Sequence, residues 1–373
     1  MKMRISCNTF LSIILKRLQT LSLSKGFTLI ELIVVITIIG ILAAITVVTY
    51  SGARERAVAT SLQSDLQNAS DQLVIDQTNS STNSFPDITA FNAEISNGTI
   101  KWSNNPTYAY TVNNTGTVKT FCLSATKNNV SYYITQEGTL LSGPCPVLYL
   151  DASISTSYPG TGTTWYDLSG NANNGTLAGG PTYSSNNGGS IVFDNIDDMA
   201  TISSALNLET LGASGNFTVM FAAKKNFYGT GGNFNGNSSF LYGSNNGYTS
   251  GWRITEPNNG TMDNPFSGAQ RYQFGSNEAG GDYLGISDTT SNRIAICAFT
   301  RSGNTVNAFL NNVTATKTFA AYVPGSSSGQ ISNSPAGVGR FAGNVYFIQI
   351  YNRALSANEI QKNYNILKGR YGL

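Results

Sequence analysis

The sequence has 373 residues, of which 11% are charged and none is histidine, and its formal net charge is +2. Histidine is a frequent general base and metal ligand, so its absence excludes a Ser-His-Asp hydrolase and a histidine-ligated zinc site. The small net charge, without a basic stripe beyond the N-terminal segment, argues against nucleic acid as a partner. The length predicts two or three domains, and the abundant Gly, Asn, Ser, Thr and Tyr are typical of β-rich extracellular proteins.

The first predicted element is a helix over residues 27–48 that crosses a membrane. It carries a single charge, Glu31, and its length of about 33 Å covers a hydrocarbon core of ~30 Å. Residues 1–26 contain Lys and Arg but no Asp or Glu, an asymmetry that keeps the N-terminus in the cytoplasm. Because a charge inside an apolar span is costly, Glu31 is a candidate functional residue.

The segment KGFTLIELIVVITIIGILAAI, residues 25–45, resembles the class III signal of type IV prepilins and pseudopilins. The resemblance rests on a basic residue, Gly26, an aromatic residue and Thr-Leu-Ile-Glu ahead of the apolar run. It implies that a prepilin peptidase removes the leader 1–26 by cutting after Gly26, and that the new terminus, Phe27, is N-methylated. It further implies that Glu31 assists filament assembly. Cleavage at this point leaves the helix on the mature protein, unlike cleavage of a conventional signal peptide.

A filament offers Glu31 a specific partner. The Glu31 carboxylate of one subunit can neutralise the Phe27 ammonium group of its neighbour, and a buried charge left unpaired is strongly destabilising. The pairing would therefore admit only subunits in the correct register. The alternative is a single-pass anchor whose glutamate reaches the cytoplasmic face.

The helix is predicted to continue to about Asp76, because Leu62, Leu66 and Leu73 recur on one face of an otherwise polar segment. Turn-forming residues then end it. Strand patterns follow at 107–112, 118–125 and 130–135, separated by Asn- and Gly-rich turns. A long helix followed by a small antiparallel sheet is the architecture of pilin heads, so residues 27–146 are predicted to form a pilin-like domain.

Cys122 and Cys145 lie in this strand-rich segment, and a disulfide between them is expected outside the cytosol. The resemblance to pilins implies the same bridge, because pilins close their C-terminal loop in this region. Two independent buried thiols are the alternative.

Residues 147–373 are predicted to form a second, all-β domain. Short strand patterns alternate with Gly, Asn and Ser turns, which is typical of a sandwich or jelly roll; examples are 190–193, 217–223, 293–300, 306–311 and 344–352. At the end of the chain, Ser356 and Glu359 form a capping-box pattern that starts a short helix.

The second domain resembles the concanavalin A-like, laminin-G-like family. The resemblance is carried by LYLDAS, TWYDLSGNANNGTL, VFDNIDDMATI, NTVNAFLNNV and GNVYFIQIYNRALSANEIQKNY, at residues 148–153, 164–177, 192–202, 304–313 and 343–364. It implies binding of glycans or proteins, often with calcium at the sheet edge. The predicted fold class is therefore α+β: a long N-terminal helix with a small antiparallel pilin-type sheet, then a concanavalin A-like jelly-roll sandwich with a short C-terminal helix.

Two groups of residues are candidate binding sites in this domain. Asp194, Asp197 and Asp198 supply carboxylates suited to Ca²⁺. Alternatively, they form a turn between two strands in which Asp197 and Asp198 cap backbone amides. Tyr242, Tyr248 and Trp252 lie in a loop-rich tract and could stack on sugar rings, or they could be core and turn residues.

Catalysis is not expected. Glycoside hydrolases that use this sandwich need two opposed carboxylates, and the glutamates of residues 147–373 are widely separated. The sequence predicts a type IV pilin-like subunit, minor or at the tip, that displays a lectin-like domain for adhesion. A secretion-type pseudopilin with a structural sandwich and a membrane-anchored lectin that never polymerises are the alternatives. The expected partners are other pilin subunits, a prepilin peptidase, the membrane, and a glycan or surface protein. The precursor is expected in the cytoplasmic membrane, and the mature chain at the cell surface or in a pilus.

Overall fold

A computed structural model of the chain describes residues 28–203, 215–225, 238–243, 251–256, 269–276, 283–291, 293–320, 329–332 and 340–373. The chain divides into two compact units, Met1–Ala57 and Val58–Leu373. The predicted boundary between residues 146 and 147 is not a division between these units. The pilin-like region past residue 57 and the sandwich therefore belong to one compact unit.

The first helix, α1, spans Leu29–Asn79, so it ends three residues later than predicted. Its N-terminal part exposes its apolar side chains and is long and apolar enough to cross a membrane. In the second unit, the predicted stripe of Leu62, Leu66 and Leu73 is buried and packs with Phe121 and other residues of a small sheet. The change from exposed to buried apolar side chains follows the change in sequence from an apolar span to a single stripe.

A second helix, α2 (Ile88–Asn97), was not predicted. Asp87 is its N-cap and accepts a hydrogen bond from the Ala90 N–H at 2.8 Å. Gly98 ends it with a left-handed backbone, φ 81°, as glycines commonly do. Phe91 is its buried residue and stacks on Tyr110 with ring centroids 4.4 Å apart. Ile95, one turn further on, is partly buried and packs against the same core.

The small sheet is antiparallel and follows chain order, as predicted. Its strands are β1 (Thr107–Asn113), β2 (Thr120–Lys127), β3 (Val130–Thr135) and β4 (Leu141–Ser142). One face packs against α1 and α2.

The remaining strands form two antiparallel sheets that pack as a β-sandwich, which confirms the predicted architecture. They are β5 (Leu148–Asp151), β6 (Thr164–Trp165), β7 (Gly175–Ala178), β8 (Thr182–Ser184), β9 (Ser190–Asp194), β10 (Met199–Ile202), β11 (Asn216–Lys225), β12 (Ser238–Gly243), β13 (Trp252–Glu256), β14 (Ala269–Ser276), β15 (Tyr283–Ser291), β16 (Ala295–Ser302), β17 (Thr305–Leu310), β18 (Val313–Thr318), β19 (Gln330–Ile331) and β20 (Ala342–Tyr351). One sheet, sheet I, has the order β15-β14-β13-β12-β19-β10-β7-β6. The other, sheet II, has the order β18-β17-β16-β11-β20-β9-β8, with β5 paired to β20.

Strand β11 shows how sheet II is used on both faces. Phe217, Val219 and Phe221 point into the core between the sheets, whereas Met220 and Ala222 belong to a second apolar cluster on the outer face. Successive side chains of a strand point to opposite faces, so a run that is apolar at every position is buried on both sides. The continuous apolar pattern at 219–223 therefore marks a strand covered twice.

The cover on that outer face comes from the C-terminal helix and from the small sheet. Helix α3 spans Ala357–Leu367 and begins with the predicted capping box of Ser356 and Glu359. Its apolar residues lie in one cluster with Cys122, Tyr133 and Leu141 of the small sheet and with Tyr351 of β20. We call this contact region the junction.

Polar contacts between described residues also cross the junction. The Tyr133 and Tyr351 hydroxyl groups are 2.9 Å apart and buried. Asn363 of α3 accepts a hydrogen bond from the Ser142 N–H at 2.6 Å and donates one to the Ser142 carbonyl at 2.9 Å. The small sheet and the sandwich thus share a core, which explains why they form one compact unit.

Candidate functional site

The start of α1 places Glu31 against Thr28. The Thr28 N–H and hydroxyl group both donate to Glu31 Oε2 at 2.8 Å, and the Glu31 N–H donates to Thr28 Oγ1 at 3.3 Å. This reciprocal arrangement is a capping box, a role of Glu31 additional to the predicted one. Gly26 and Phe27 lie outside the described residues. Within one chain, Glu31 therefore has Thr28 as a partner before any neighbouring subunit arrives.

The predicted disulfide between Cys122 and Cys145 is confirmed. Cys122 on β2 is fully buried within the junction, and Cys145 packs against the same cluster. The bridge therefore ties the end of the pilin-like region to its sheet at the place where the sandwich begins. The third cysteine of the described residues, Cys297, is a buried thiol.

The turn between β9 and β10 brings Asp194, Asp197 and Asp198 together, with one oxygen of each carboxylate within 4.8 Å of the others. Two of these side chains also cap the turn. Asp198 accepts the Asp194 N–H at 2.9 Å, and Asp194 accepts the Ile196 N–H at 2.7 Å. Capping by Asp198 was expected, but the second capping carboxylate is that of Asp194 and not that of Asp197. The calcium-binding role stays a prediction.

The electrostatics of this turn disfavour three bare carboxylates. Burial of Asp198, together with the nearby charges of Asp194 and Asp197, raises the pKa of Asp198 above its usual range. The Arg340 guanidinium donates to the Asp197 carbonyl at 2.8 Å, which brings a positive charge to the backbone of the turn. The Oδ1 atom of Asn195 is buried and has no hydrogen-bond partner among the described residues. The carboxylate oxygens of the three aspartates and the amide oxygen of Asn195 are of the type that Ca²⁺ prefers as ligands.

Of the three aromatic residues predicted to bind a sugar, Tyr242, Tyr248 and Trp252, the structure describes the side chain of Trp252. Trp252 on β13 is 1% exposed and stacks on Phe217 and Phe274 inside the sandwich, so it has the core role that the sequence left open. The backbone of Tyr242 lies in β12, but its side chain and all of Tyr248 lie outside the described residues. A tryptophan in a Gly- and Asn-rich tract looks exposed by composition, and only the register of β13 turns it inward.

The N-terminal sequence matches a known family signature. Residues 21–47 carry a prokaryotic N-terminal methylation motif. The motif contains Gly26, Phe27 and Glu31, and its apolar part is the exposed N-terminal part of α1. The motif and this helix fit a membrane-anchored precursor that a prepilin peptidase processes and that associates with pilin subunits.

A comparison with solved structures gives matches at low identity and with TM-scores below 0.5. The receptor binding domain of botulinum neurotoxin type G is 15% identical over 59% of this chain and 51% of its own, with a TM-score of 0.40. A Trypanosoma rangeli sialidase mutant is 10% identical over 71% and 54%, with a TM-score of 0.44. Domain 4 of the arabinanase AbnA from Geobacillus stearothermophilus, solved with arabinotriose, is 13% identical over 59% and 97%, with a TM-score of 0.40.

The chain spans about half the length of the neurotoxin domain and of the sialidase. A comparison with curated proteins gives no match.

Proposed function

We propose that this chain is a type IV pilin-like filament subunit that displays its β-sandwich for adhesion to glycans or surface proteins. The observation that carries the proposal is the methylation motif at residues 21–47, which leads into an exposed apolar helix. Cleavage between Gly26 and Phe27 releases an N-terminus that is then methylated. Glu31, four residues further on, pairs with the Phe27 amine of a neighbouring subunit.

A minor or tip position suits the size of the displayed part. A sandwich of this size on every subunit would crowd a filament, whereas a tip subunit needs only one copy. The junction supports display, because it holds the sandwich against the small sheet through a shared core. The same junction also suits a secretion-type pseudopilin in which the sandwich is structural, and that is the second candidate function.

We propose a binding role and not a catalytic one for the sandwich. Glu359 is held by a bidentate ion pair with Arg353, at 2.7 and 3.0 Å, and by the amide and hydroxyl group of Ser356. A carboxylate with its acceptors occupied in this way is a poor general acid or base. A purified chain that hydrolysed any member of a panel of chromogenic glycosides would contradict this proposal.

Calcium is the ion that would fit the β9–β10 turn, held by Asp194, Asp197 and Asp198 with Asn195 Oδ1 as a further oxygen. We expect titration of the full chain with CaCl₂ to show saturable binding that Asp197→Asn weakens at least tenfold. Asp71→Asn, which removes an exposed carboxylate from α1, is the matched control. Equal binding by wild type and Asp197→Asn, or no binding by either, would leave the turn with its capping role alone.

The assembly role of Glu31 is tested in cells. We expect Glu31→Val to insert and to be processed, but to be absent from filaments sheared off the cell, because an unpaired Phe27 ammonium group is costly in the apolar filament interior. Thr37→Val, a polar-to-apolar change in the same span, should still enter filaments. Normal incorporation of Glu31→Val would refute the pairing. Absence of the wild-type chain from sheared filaments would favour the membrane-anchored lectin that does not polymerise.

A further inference from the structure

A groove of about 480 Å³ lies on the outer face of sheet II, beside the start of α3. Its floor comes from β16, β17 and β18, and its wall comes from residues 353–357. The volume falls within the range of roughly 300–1,000 Å³ that small-ligand sites occupy. No residue of the groove was predicted as a site. Its floor is made by side chains of three strands, and only the pairing of those strands brings them together.

Strand register builds a polar row across the floor. Thr218 lies opposite Thr300, Thr300 opposite Asn307, and Asn307 opposite Thr316. Directly opposed residues of neighbouring strands point to the same face. Four polar side chains from four strands are therefore aligned on a face that is otherwise apolar further along β11.

The backbone before α3 covers the first member of this row. Thr218 Oγ1 donates to the Arg353 carbonyl at 2.8 Å and accepts from the Leu355 N–H at 2.8 Å. Thr300 is also buried, at 2% exposed, whereas Asn307 is half-buried and Thr316 is exposed. Thr218 thus fixes the wall, and Asn307 and Thr316 form the polar surface that a ligand would contact.

The open part of the row is a connected set of neutral donors and acceptors. The Thr316 hydroxyl group donates to Asn307 Oδ1 at 2.8 Å, and Asn307 Nδ2 donates to Thr300 Oγ1 at 3.3 Å. The second N–H of the Asn307 amide remains for a ligand. Phe309, half-buried on the same strand as Asn307, adds an apolar ring to the lining. Hydroxyl and amide groups beside an aromatic ring match a sugar, which has both hydroxyl groups and an apolar ring face.

The charge of the wall excludes an anionic ligand as the best fit. Arg353 lines the groove, and Glu359 binds its guanidinium group through both carboxylate oxygens. A guanidinium group already engaged by a bidentate carboxylate has little capacity left for a phosphate, sulfate or sialic acid. The wall is therefore close to neutral.

We propose that this groove binds a neutral oligosaccharide through Asn307 and Thr316, with Phe309 as the apolar contact. The inference rests on the proposed function, since a displayed binding domain needs a ligand site. It moves that site away from the loop tract around Trp252 and onto the face of sheet II next to α3.

The test uses the full chain in detergent micelles on an array of gluco-, galacto-, manno- and arabino-oligosaccharides, with sialylated and sulfated glycans on the same surface. We expect a neutral glycan to bind, and Asn307→Ala to weaken its binding about tenfold, the effect of losing one to two hydrogen bonds. Thr316→Ala should also weaken it, whereas Thr318→Ala should not. Thr318 is exposed on the same face of β18 but does not line the groove, which makes it the matched control. Unchanged near-ultraviolet circular dichroism shows that each variant is folded.

Three results would overturn the inference: no binding of any neutral glycan, binding of acidic glycans only, or neutral binding that Asn307→Ala and Thr316→Ala leave intact. The filament-shearing assay on the same variants distinguishes failure of the groove inference from failure of the proposed filament function. Asn307→Ala should remain in sheared filaments whether or not the groove binds sugar.

Discussion

Asp76 of α1 and Glu94 of α2 bring two carboxyl groups together in the pilin-like region. Gln72 donates to Asp76 Oδ1 at 2.9 Å, while Asp76 Oδ2 and Glu94 Oε2 are buried without a donor among the described residues. A proton shared between the two groups supplies the missing hydrogen bond. Burial, the Asp76 charge and this hydrogen bond raise the pKa of Glu94 to about 7. The helix pair is thus held by a proton at mildly acidic pH.

This pair predicts a pH dependence of stability. Because the folded chain holds the Glu94 proton more tightly than the unfolded chain, its contribution is present below about pH 4.5 and is lost as the pH rises through about 7. Glu94→Gln keeps a neutral side chain at every pH. We expect it to be more stable than wild type at pH 8, with the difference vanishing near pH 4.5, in urea unfolding of the full chain in detergent. Asp71→Asn on the exposed side of α1 should show no such crossover. If the difference in free energy of unfolding between wild type and Glu94→Gln were the same at pH 5 and at pH 8, the shared proton would be disproved.

Helix α3 joins two parts of the molecule that are far apart in the sequence. Its capping box fixes where it starts, and Ile360, Tyr364 and Leu367 bury one face. The buried Asn363 on that face is the informative residue, because it bonds both the N–H and the carbonyl of Ser142. The helix therefore completes a strand edge of the small sheet as well as covering the sandwich.

Replacing Asn363 tests this role of α3. Asn363→Leu leaves two buried backbone groups of Ser142 without partners, which costs about 3 kcal/mol. We expect urea unfolding of the full chain to show a loss of that size. Asn365→Leu changes an exposed position of the same helix and should shift stability by less than about 0.5 kcal/mol. Equal effects of the two substitutions would show that the Ser142 contacts contribute nothing.

At the scale of the whole molecule, the junction decides whether residues 58–373 unfold together. The Cys122–Cys145 bridge, the Tyr133–Tyr351 hydroxyl pair and the apolar residues of α3 lie in one cluster. Cross-linking residues 23 apart in sequence stabilises a fold by about 3 kcal/mol, mainly through the entropy of the unfolded chain. If residues 58–373 unfold as one cooperative unit, the disulfide also stabilises the strands of the sandwich.

The double substitution Cys122→Ser, Cys145→Ser measures this coupling. We expect native-state hydrogen exchange to show reduced protection in β2 and β3 and, by a similar free energy, in β11 and β20. The second pair of strands lies in the sandwich and contains neither cysteine, so it reports cooperation across the junction. Unchanged protection of β11 and β20 would mean that the two parts unfold independently.

The sequence by itself determined the features that depend on local pattern. The methylation motif, the stripe of α1, the capping box of α3 and the strands of the small sheet are each specified by residues close together in the chain. Helix α2 was not predicted, although Asp87 and Gly98 cap it and Ile88, Phe91 and Ile95 recur at i, i+3 and i+7; at ten residues it gives only a short periodic signal. The fold class followed because these local patterns alternate in a recognisable order.

Tertiary structure alone decided which distant residues meet. Tyr133 and Tyr351 are 218 residues apart, and Ser142 and Asn363 are 221 apart, and no local pattern pairs them. The burial of Trp252 and the polar row of the groove depend on strand register, and a shift of one residue would reverse every side chain. A sequence records which residues can face outward, but the pairing of strands decides which of them face the same ligand.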